Sequence, residues 1–321
     1  MLSLREVRVG SRRRREVREI VRGVDLDVLA GEKVGVVGES GSGKTLTMLS
    51  VLRLLPRPLE VLGGQIRFED RSVTDLDERA MESIRGAGVA MVYQDPMTSL
   101  NPLLRVRTQL VETLRGHGAS KEVARERTRE VLSQVGFVDP KRVESAFPHE
   151  LSGGMVQRVM IAMAIATSPR LLVADEPTTA LDVTIQQQIL DLVDALQART
   201  SMSVVWVSHD LGVIARLVDR VCVMYAGRVV ENAPTRRLFT RPTHPYSQAL
   251  LGSLPGPEVE HRAPLTQIGG SPPDPTRLPP GCPFRARCPF AFDRCAEEEP
   301  PLVDRGDGSF AACWKEPSAW S

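Results

Sequence analysis

The chain has 321 residues, 42% of them hydrophobic and 25% charged, which is typical of a globular protein with a substantial core. Its formal net charge of +1 gives no overall attraction to nucleic acid. The N-terminus has no apolar signal region, and the longest apolar run, residues 160–166, is too short to cross a bilayer. We therefore expect a cytosolic protein unless a partner holds it at a membrane. In that compartment, clustered cysteines indicate metal binding or catalysis before disulfides.

Strand and helix patterns alternate along the first 235 residues. The basic run at 12–15 is typical of a solvated loop, with a polyanion site as the alternative. Buried-strand patterns occur at 33–38, 171–175 and 203–208, and 220–231 predicts two strands joined at Ala226 and Gly227. Helical patterns cover 45–55, 121–135, 155–167 and 184–199. This order predicts an α/β fold with a largely parallel sheet that is covered on both faces.

The sequence changes character after Arg241. Proline recurs every few residues from Pro242 to Pro280 and no hydrophobic period holds, which predicts a loop-rich segment. We place a domain boundary near residue 236, giving domains 1–235 and 236–321.

A glycine-rich stretch, GESGSGKT at residues 38–45, lies between a predicted strand and a predicted helix and matches G-x-x-x-x-G-K-[ST]. Its glycines let successive backbone N–H groups turn toward phosphate oxygens at a helix N-terminus. Lys44 is expected to reach the β- and γ-phosphates, and the Thr45 hydroxyl to ligate Mg²⁺. The stretch predicts a nucleoside triphosphate site, with contacts assigned to Gly38, Ser40, Gly41, Ser42, Gly43, Lys44, Thr45 and Thr47.

Two adjacent carboxylates, Asp175 and Glu176, follow the predicted strand LLVAD. They should emerge at the carboxyl edge of the sheet, where ligands bind in open α/β folds. We expect Asp175 to hold Mg²⁺ through water and Glu176 to polarise a water in line with the γ-phosphate.

The stretch LSGGMVQRVMIAMAIA, residues 151–166, predicts a helix that opens with Ser-Gly-Gly and therefore a second anion site. A chain that already has a phosphate loop would need this site only for a neighbour's nucleotide. The stretch closely resembles the signature of the nucleotide-binding subunits of ABC transporters, in which the signature of one subunit closes over ATP held by the other. The resemblance implies a helical subdomain at about 95–165 and assigns contacts with the partner's ATP to Ser152, Gly153, Gly154 and Gln157.

Three further motifs of that family follow in the expected order. Gln94 in VYQDP matches the glutamine that contacts Mg²⁺ and the attacking water and links to the membrane subunits. Asp182 in TTALD matches the D-loop residue at the dimer contact, and His209 in VSHD matches the histidine that contacts the γ-phosphate. The resemblance therefore implies Glu176, His209, Gln94 and Lys44 as catalytic residues and Thr45, Gln94 and Asp175 as the Mg²⁺ set.

Two positions depart from the family pattern. Members usually stack an aromatic side chain on adenine from a loop upstream of the phosphate loop, but this chain has no Phe, Tyr or Trp before Phe68. Val17 or an arginine of the basic run is expected to lie over the base instead. Met155 replaces the glutamine that is usual in the signature, while Ser152 and Gly154 are retained.

The C-terminal third resembles the extension of oligopeptide and dipeptide importers. The matching stretches are RPTHPYSQALLGSLP at 241–255, the IGGSPPDP and LPPGCPFRARC segments that follow, and QDPMTSLNP after the Q-loop glutamine. This part of the resemblance is more restrictive than a phosphate loop, and the whole resemblance covers essentially the entire chain.

Four cysteines cluster in this extension, at Cys282, Cys288, Cys295 and Cys313. Four thiolates suit either a tetrahedral zinc or an iron–sulfur cluster, and no pair here has the short spacing that structural zinc usually uses. Free thiols or disulfides are further alternatives. Importers of the resembled group carry a [4Fe–4S] cluster in this extension, which implies the same here in a structural role, with redox sensing as the alternative.

Other residues near the cysteines have simpler interpretations. The neighbouring Arg285, Arg287 and Arg294 either offset the charge of such a cluster or are solvated. Cys222 lies in a predicted strand and is expected to be a core residue.

Taken together, the resemblance implies an α/β phosphate-loop NTPase of the ABC type with a helical subdomain and a small, loop-rich, metal-bound extension. It implies an Mg²⁺-dependent ATPase that powers peptide uptake at the cytoplasmic face of the cell membrane. Expected partners are a related, non-identical ATPase chain, two integral membrane permease subunits and, indirectly, an extracellular substrate-binding protein, with no nucleic acid. The alternatives are a nickel or other small-solute importer, a soluble ABC ATPase acting on nucleic acid or ribosomes, and a non-enzymatic regulatory subunit.

Overall fold

The computed structural model describes residues 1–13, 16–95, 99–179, 181–254 and 268–316. Four sequence predictions extend beyond these ranges: residues 14–15 of the basic run, 96–98 of QDPMTSLNP, Ala180 of the D-loop motif, and 255–267 of the proline-rich segment. The chain forms two compact units. The phosphate-loop unit comprises Met1–Val28, Lys33–Thr74 and Val207–Ser321, and the signature unit comprises Leu29–Glu32 and Asp75–Trp206.

An antiparallel sheet begins the phosphate-loop unit. Its strands are β1 (Leu2–Arg13), β2 (Glu16–Val28), β4 (Leu59–Phe68) and β5 (Arg71–Ser72), in the order β2-β1-β4-β5. Apolar side chains of β1 alternate toward the core at Leu2 and Leu4, and again at Val7 and Val9. A register shift between Leu4 and Val7, where Glu6 has φ of 48°, moves the alternation by one residue and keeps one face apolar.

A second sheet of the same unit carries the phosphate loop. Its strands are β3 (Lys33–Val37), β9 (Arg220–Tyr225), β10 (Arg228–Pro234), β11 (Val303–Asp304) and β12 (Phe310–Ala311), in the order β11-β12-β10-β9-β3. Strands β3 and β9 are parallel, and every other neighbouring pair is antiparallel. Because β12 pairs with β10, the C-terminal extension forms the edge of this sheet.

Along the chain, the helices of this unit precede or follow strands of the second sheet. They are α1 (Lys44–Val51), α8 (Leu211–Leu217), α9 (Thr235–Thr240), α10 (Pro245–Gly252) and α11 (Arg294–Glu297), with a 3₁₀ turn at Arg285–Arg287. Proline at the first position of α10 and the His244 side chain, which accepts a hydrogen bond from the Tyr246 N–H, define where that helix begins. The helix lies inside the stretch 242–280 that proline content predicts to be loop-rich, and its eight residues are an exception to that pattern.

The signature unit combines parallel strands with most of the helices. The strands are β6 (Val89–Val92), β7 (Leu171–Asp175) and β8 (Ser203–Ser208), in the order β8-β7-β6, and the division between the units falls within β8. Strands β6 and β7 are parallel. The helices are α2 (Glu78–Ile84), α3 (Val106–Gly116), α4 (Lys121–Gln134), α5 (Pro140–Ser145), α6 (Gly153–Ile165) and α7 (Val183–Thr200). All five residues of β7 are buried, as expected for a strand covered on both faces.

The elements predicted from periodicity are present with small shifts. Strands β7 and β8 have the predicted bounds, and β9 and β10 are joined at Ala226 and Gly227 as expected. The helix predicted at 45–55 ends at Val51, whereas the other three predicted helices differ from their expected bounds by one or two residues. In the described part of the chain, no helix combines the length and the apolar character needed to cross a membrane.

A buried carboxylate fixes the path of the chain into the extension. Glu231 on β10 is fully buried. Its Oε1 accepts hydrogen bonds from the Thr243 N–H and Oγ1, each at 2.7 Å, and its Oε2 accepts one from the His244 N–H at 2.9 Å. Burial raises the pKa of this carboxyl group, and the hydrogen bonds oppose that rise. The start of α10 is thereby held to the sheet.

We expect Glu231→Gln to lower the free energy of unfolding by about 2 kcal/mol. The amide oxygen can replace one carboxylate oxygen, but the amide nitrogen is a donor and leaves a buried N–H without an acceptor. Thermal and urea unfolding of the full chain measure the change. The matched control is Glu126→Gln on the exposed surface of α4, for which no comparable loss is expected. Equal stability of the two variants would contradict the assignment of Glu231 as a structural anchor.

Candidate functional site

The phosphate loop lies between β3 and α1, as the sequence predicts. Gly38 has φ of 150°, and a Cβ at this position would lie 2.2 Å from the Met224 carbonyl oxygen, so only glycine fits. Gly43 has φ of 98° and precedes the first turn of α1. The Lys44 Nζ donates hydrogen bonds to the carbonyl oxygens of Gly38 at 2.7 Å and Glu39 at 3.1 Å. The lysine side chain thus connects the end of the phosphate loop to the first two residues of the loop.

The hydroxyl groups of this loop have different environments. Ser40 and Thr45 are exposed, whereas Ser42 is buried and its Oγ has no hydrogen-bond partner among the described residues. A buried hydroxyl without a partner is uncommon and suits a site that receives a polar ligand. Thr47 is fully buried, and its Oγ1 donates to the Gly43 carbonyl at 2.8 Å. That hydroxyl is therefore bonded to the preceding turn of α1 and does not face solvent.

His209 belongs to the same unit and follows β8 directly. Its side chain is exposed. The next residue, Asp210, accepts hydrogen bonds from the N–H groups of Gly212 and Val213 and so begins α8. This cap fixes where β8 ends and keeps the histidine at the carboxyl end of the strand.

The acidic residues lie in the signature unit, at the end of β7. Asp175 is the last residue of the strand and is 3% exposed. Glu176 has φ of 46°, a left-handed conformation that is strained for a side chain of this size. Its Oε2 accepts hydrogen bonds from Gln94 Nε2 at 3.3 Å and from Thr179 Oγ1 at 3.1 Å. Parallel strands β6 and β7 therefore bring Gln94 and Glu176 together.

The signature helix α6 begins at Ser152, whose Oγ accepts a hydrogen bond from the Met155 N–H at 3.4 Å. Ser152 and Gly153 are exposed, and a Cβ on Gly154 would lie 2.7 Å from Ile185 Cγ2. The start of the helix is therefore an accessible set of N–H groups with a positive dipole end. Gln157 is fully buried, and neither polar atom of its amide has a partner within the described ranges.

Asp182 also starts a helix. Its Oδ1 accepts hydrogen bonds from the N–H groups of Thr184 and Ile185, at 3.1 and 3.0 Å, and begins α7. Asp182 and the following Val183 are exposed, Val183 at 80%.

The candidate residues for binding adenine are only partly described. Val17 on β2 is half-exposed and Arg12 is exposed, while Arg14 and Arg15 lie outside the described residues. Whether Val17 or an arginine lies over the base stays a prediction.

The predicted site residues divide between the two units. The phosphate loop and His209 belong to the phosphate-loop unit. The residues of the signature unit are Gln94, Ser152, Gly153, Gly154, Gln157, Asp175, Glu176 and Asp182.

Four cysteine side chains line one pocket in the extension. The thiols belong to Cys282, Cys288, Cys295 and Cys313, and all four are free. Phe284, Phe290, Phe292 and Trp314 line the same pocket. Burial, with a smaller contribution from the neighbouring thiols, raises the pKa of Cys282 to about 12. Cys222 lies apart, fully buried in β9, as expected of a core residue.

The four thiols line one pocket, but they do not define a site for one ion. Across the described ranges, no three His, Cys, Asp or Glu side chains form a group that could hold a metal ion. This geometry therefore does not show a metal-bound state of the extension.

Two family models match the chain. The model described as "ABC transporter" matches residues 21–179. The model described as "Oligopeptide/dipeptide transporter, C-terminal region" matches residues 230–295, which include α10 and the first three clustered cysteines.

Relatives match over nearly the whole chain. A protein named "Probable peptide ABC transporter ATP-binding protein" from Sinorhizobium fredii is 49% identical over 91% of this chain and 88% of its own length. The "Dipeptide transport ATP-binding protein DppD" of Bacillus subtilis is 47% identical over 92% of this chain and 89% of its own length. Among solved structures, a dimeric ATP-binding cassette in a post-hydrolysis state, bound to ADP and Pi, superposes with a TM-score of 0.65 at 28% identity. The superposition covers 74% of this chain and 99% of the chain in that structure.

These matches confirm the resemblance derived from the motifs. The chain belongs to the ABC transporter ATPase family and carries the C-terminal region of its oligopeptide/dipeptide transporter group.

Proposed function

We propose that this ATPase powers the uptake of peptides as a subunit of an oligopeptide- or dipeptide-type importer. The observation that carries the proposal is the match of residues 230–295 to the oligopeptide/dipeptide transporter C-terminal region, a segment that the buried Glu231 holds to the phosphate-loop sheet. The names of the aligned relatives support peptides as cargo. No feature of the described residues favours a nickel importer, a nucleic-acid-dependent ATPase or a regulatory subunit over this function.

The phosphate loop and the acidic pair have distinct proposed roles. Lys44 and the loop amides hold the phosphates, with Thr45, Gln94 and Asp175 as ligands of Mg²⁺, directly or through water. Mg²⁺ would neutralise charge on the β- and γ-phosphates. Glu176 is the general base, and the hydrogen bonds from Gln94 and Thr179 support this role because they orient its carboxylate. His209 contacts the γ-phosphate.

A second ATPase subunit completes the proposed site. The exposed N-terminus of α6, with Ser152, Gly153 and Gly154, would bind the γ-phosphate of ATP held by that subunit. Gln157 is the fourth residue proposed to contact that ATP, and its buried amide has no partner among the described residues. Asp182 and Val183 form part of the proposed contact between subunits, and a related, non-identical chain is the proposed partner. In this proposal, 1–235 is the ATPase domain, with its helical subdomain at about 95–165, and 236–321 is the importer extension.

The remaining proposed partners belong to the membrane. Two permease subunits would hold the chain at the cytoplasmic face of the cell membrane, and an extracellular substrate-binding protein would act through them. Gln94 is the proposed link to the permeases. Co-purification with integral membrane subunits encoded by neighbouring genes tests this assembly, whereas co-purification with nucleic acid would contradict it.

We expect Glu176→Gln to abolish ATP turnover while ATP binding is retained. The glutamine amide keeps the shape of the glutamate side chain, but it cannot accept a proton from the attacking water. Steady-state phosphate release and MgATP binding by the full chain, in its assembled complex, measure the two effects. Glu126→Gln, on the exposed surface of α4, is the control and should keep turnover. Normal hydrolysis by the Glu176 variant would contradict its assignment as the base.

We also propose that the four clustered cysteines hold a [4Fe–4S] cluster that stabilises the extension. A cubane binds its four thiolates through four separate irons, so it suits thiols distributed around a pocket better than a single ion does. The positively charged Arg285 and Lys315 line the same pocket and would favour an anionic group. The cluster would act as a staple for a segment with few core residues.

Anaerobic purification followed by iron, sulfide and zinc analysis tests the cluster. We expect about four irons and four labile sulfides per chain. Cys288→Ser should lower both contents strongly, whereas Cys222→Ala, which removes a buried thiol of β9, should leave them unchanged. Stoichiometric zinc, or no metal in the intact chain, would contradict the proposal.

A further inference from the structure

An arginine between the clustered cysteines contacts the phosphate loop directly. The Arg287 guanidinium donates two hydrogen bonds to the Glu39 carboxylate, from Nη2 to Oε1 at 2.8 Å and from Nη1 to Oε2 at 2.6 Å. Glu39 immediately follows Gly38, the first residue of the phosphate loop. The extension and the nucleotide loop thus share a two-pronged ion pair, the arrangement in which arginine and carboxylate fit each other most closely.

The pair is largely removed from water. The Arg287 side chain is 4% exposed and that of Glu39 is 26% exposed. Exposed ion pairs contribute little because water screens them, whereas a desolvated bidentate pair fixes the geometry of both partners. Loss of one partner would leave the other charge poorly solvated, so the position of Glu39 depends on Arg287.

Arg287 is itself held in place by the extension. Its Nε donates to the Gly269 carbonyl at 2.9 Å, and its Nη1 lies 3.4 Å from the Tyr225 hydroxyl. The adjacent Phe284 packs edge-on against the Tyr225 ring, with 5.3 Å between the ring centroids. These contacts fix the orientation of the guanidinium group that bonds to Glu39.

The backbone of Glu39 is held as firmly as its side chain. Its N–H donates to the Tyr246 hydroxyl at 2.9 Å, and its carbonyl oxygen accepts a hydrogen bond from Lys44 Nζ at 3.1 Å. Tyr246 lies on α10 and packs on Tyr225 and Phe284, at 4.6 and 5.4 Å between centroids. All three polar groups of Glu39 thus have partners, two of them in the extension and the third the lysine proposed to hold the phosphates.

We propose that Arg287 is a positioning residue for ATP, which fixes Glu39 and the first turn of the phosphate loop, so that the cysteine-bearing segment sets the affinity for ATP. Nothing in the phosphate-loop motif requires glutamate at position 39, since it occupies one of the variable positions of that motif. The inference rests on the proposed phosphate contacts of Lys44 and the loop amides. It gives the extension a task in nucleotide binding that is separate from contacts with other subunits.

The alternative is that the pair only anchors the extension, and the chain offers a matched control for this. Glu299 of the extension accepts hydrogen bonds from Arg22 at 2.9 and 3.1 Å and forms an ion pair with Arg228 at 3.2 Å. Its side chain is 28% exposed, close to the value for Glu39. Glu299→Gln therefore weakens a comparable anchor of the extension whose partners lie outside the phosphate loop.

The test is calorimetric titration of the full chain with MgATP. We expect Arg287→Met and Glu39→Gln each to weaken ATP binding by about tenfold, because the loop loses its preorganised geometry. The double variant should be no weaker than either single variant, since both remove the same interaction. Arg287→Lys, which keeps the charge without the two-pronged fit, should recover part of the loss, and Glu299→Gln should bind as the wild type does.

Three results would overturn the inference. These are unchanged affinity in both single variants, additive losses in the double variant, or an equal loss in Glu299→Gln. Iron content and the thermal unfolding midpoint, measured on the same samples, separate a displaced loop from an unfolded extension. In contrast, a wild-type chain that fails to bind MgATP would contradict the proposed nucleotide site itself.

Discussion

The largely desolvated ion pair between Glu39 and Arg287 joins two parts of the chain that are 248 residues apart in sequence. Other features of the phosphate-loop unit place Arg287 where this pair can form. Strand β12 adds the extension to the sheet, and Glu231 holds the start of α10. The aromatic rings of Tyr225, Tyr246 and Phe284 pack against one another. The extension therefore lies against the phosphate loop and belongs to the same compact unit.

Local patterns were sufficient to predict the elements that carry the chemistry. A short apolar run that ends in adjacent acids specifies β7 with its exact bounds, because a buried parallel strand needs apolar residues on both faces. The phosphate loop follows from glycine spacing between a strand and a helix. The antiparallel sheet of β1, β2 and β4 was not predicted, although Leu2, Leu4, Val7 and Val9 alternate. The register shift between Leu4 and Val7 interrupts the period of two and weakens that signal.

Contacts between distant residues leave no periodic signal in a single sequence. The sequence places Arg285, Arg287 and Arg294 beside the cysteines and indicates charge compensation or solvent exposure. In the structure, Arg287 is instead bonded to Glu39, and the Arg294 guanidinium lies 3.5 Å from the Trp314 ring centroid. Similarly, cysteine spacing indicates a common site for the four thiols but cannot reveal that the segment between them reaches the nucleotide loop.

Hydrogen–deuterium exchange of residues 38–45 tests most directly whether the extension holds the phosphate loop. The comparison is between the ATP-free wild-type chain, Arg287→Met and Glu299→Gln under identical conditions. The account predicts faster exchange in this loop for Arg287→Met, including the Glu39 amide that donates to Tyr246, and wild-type exchange for Glu299→Gln. Unchanged protection of the loop in Arg287→Met, with the variant otherwise folded, would contradict it.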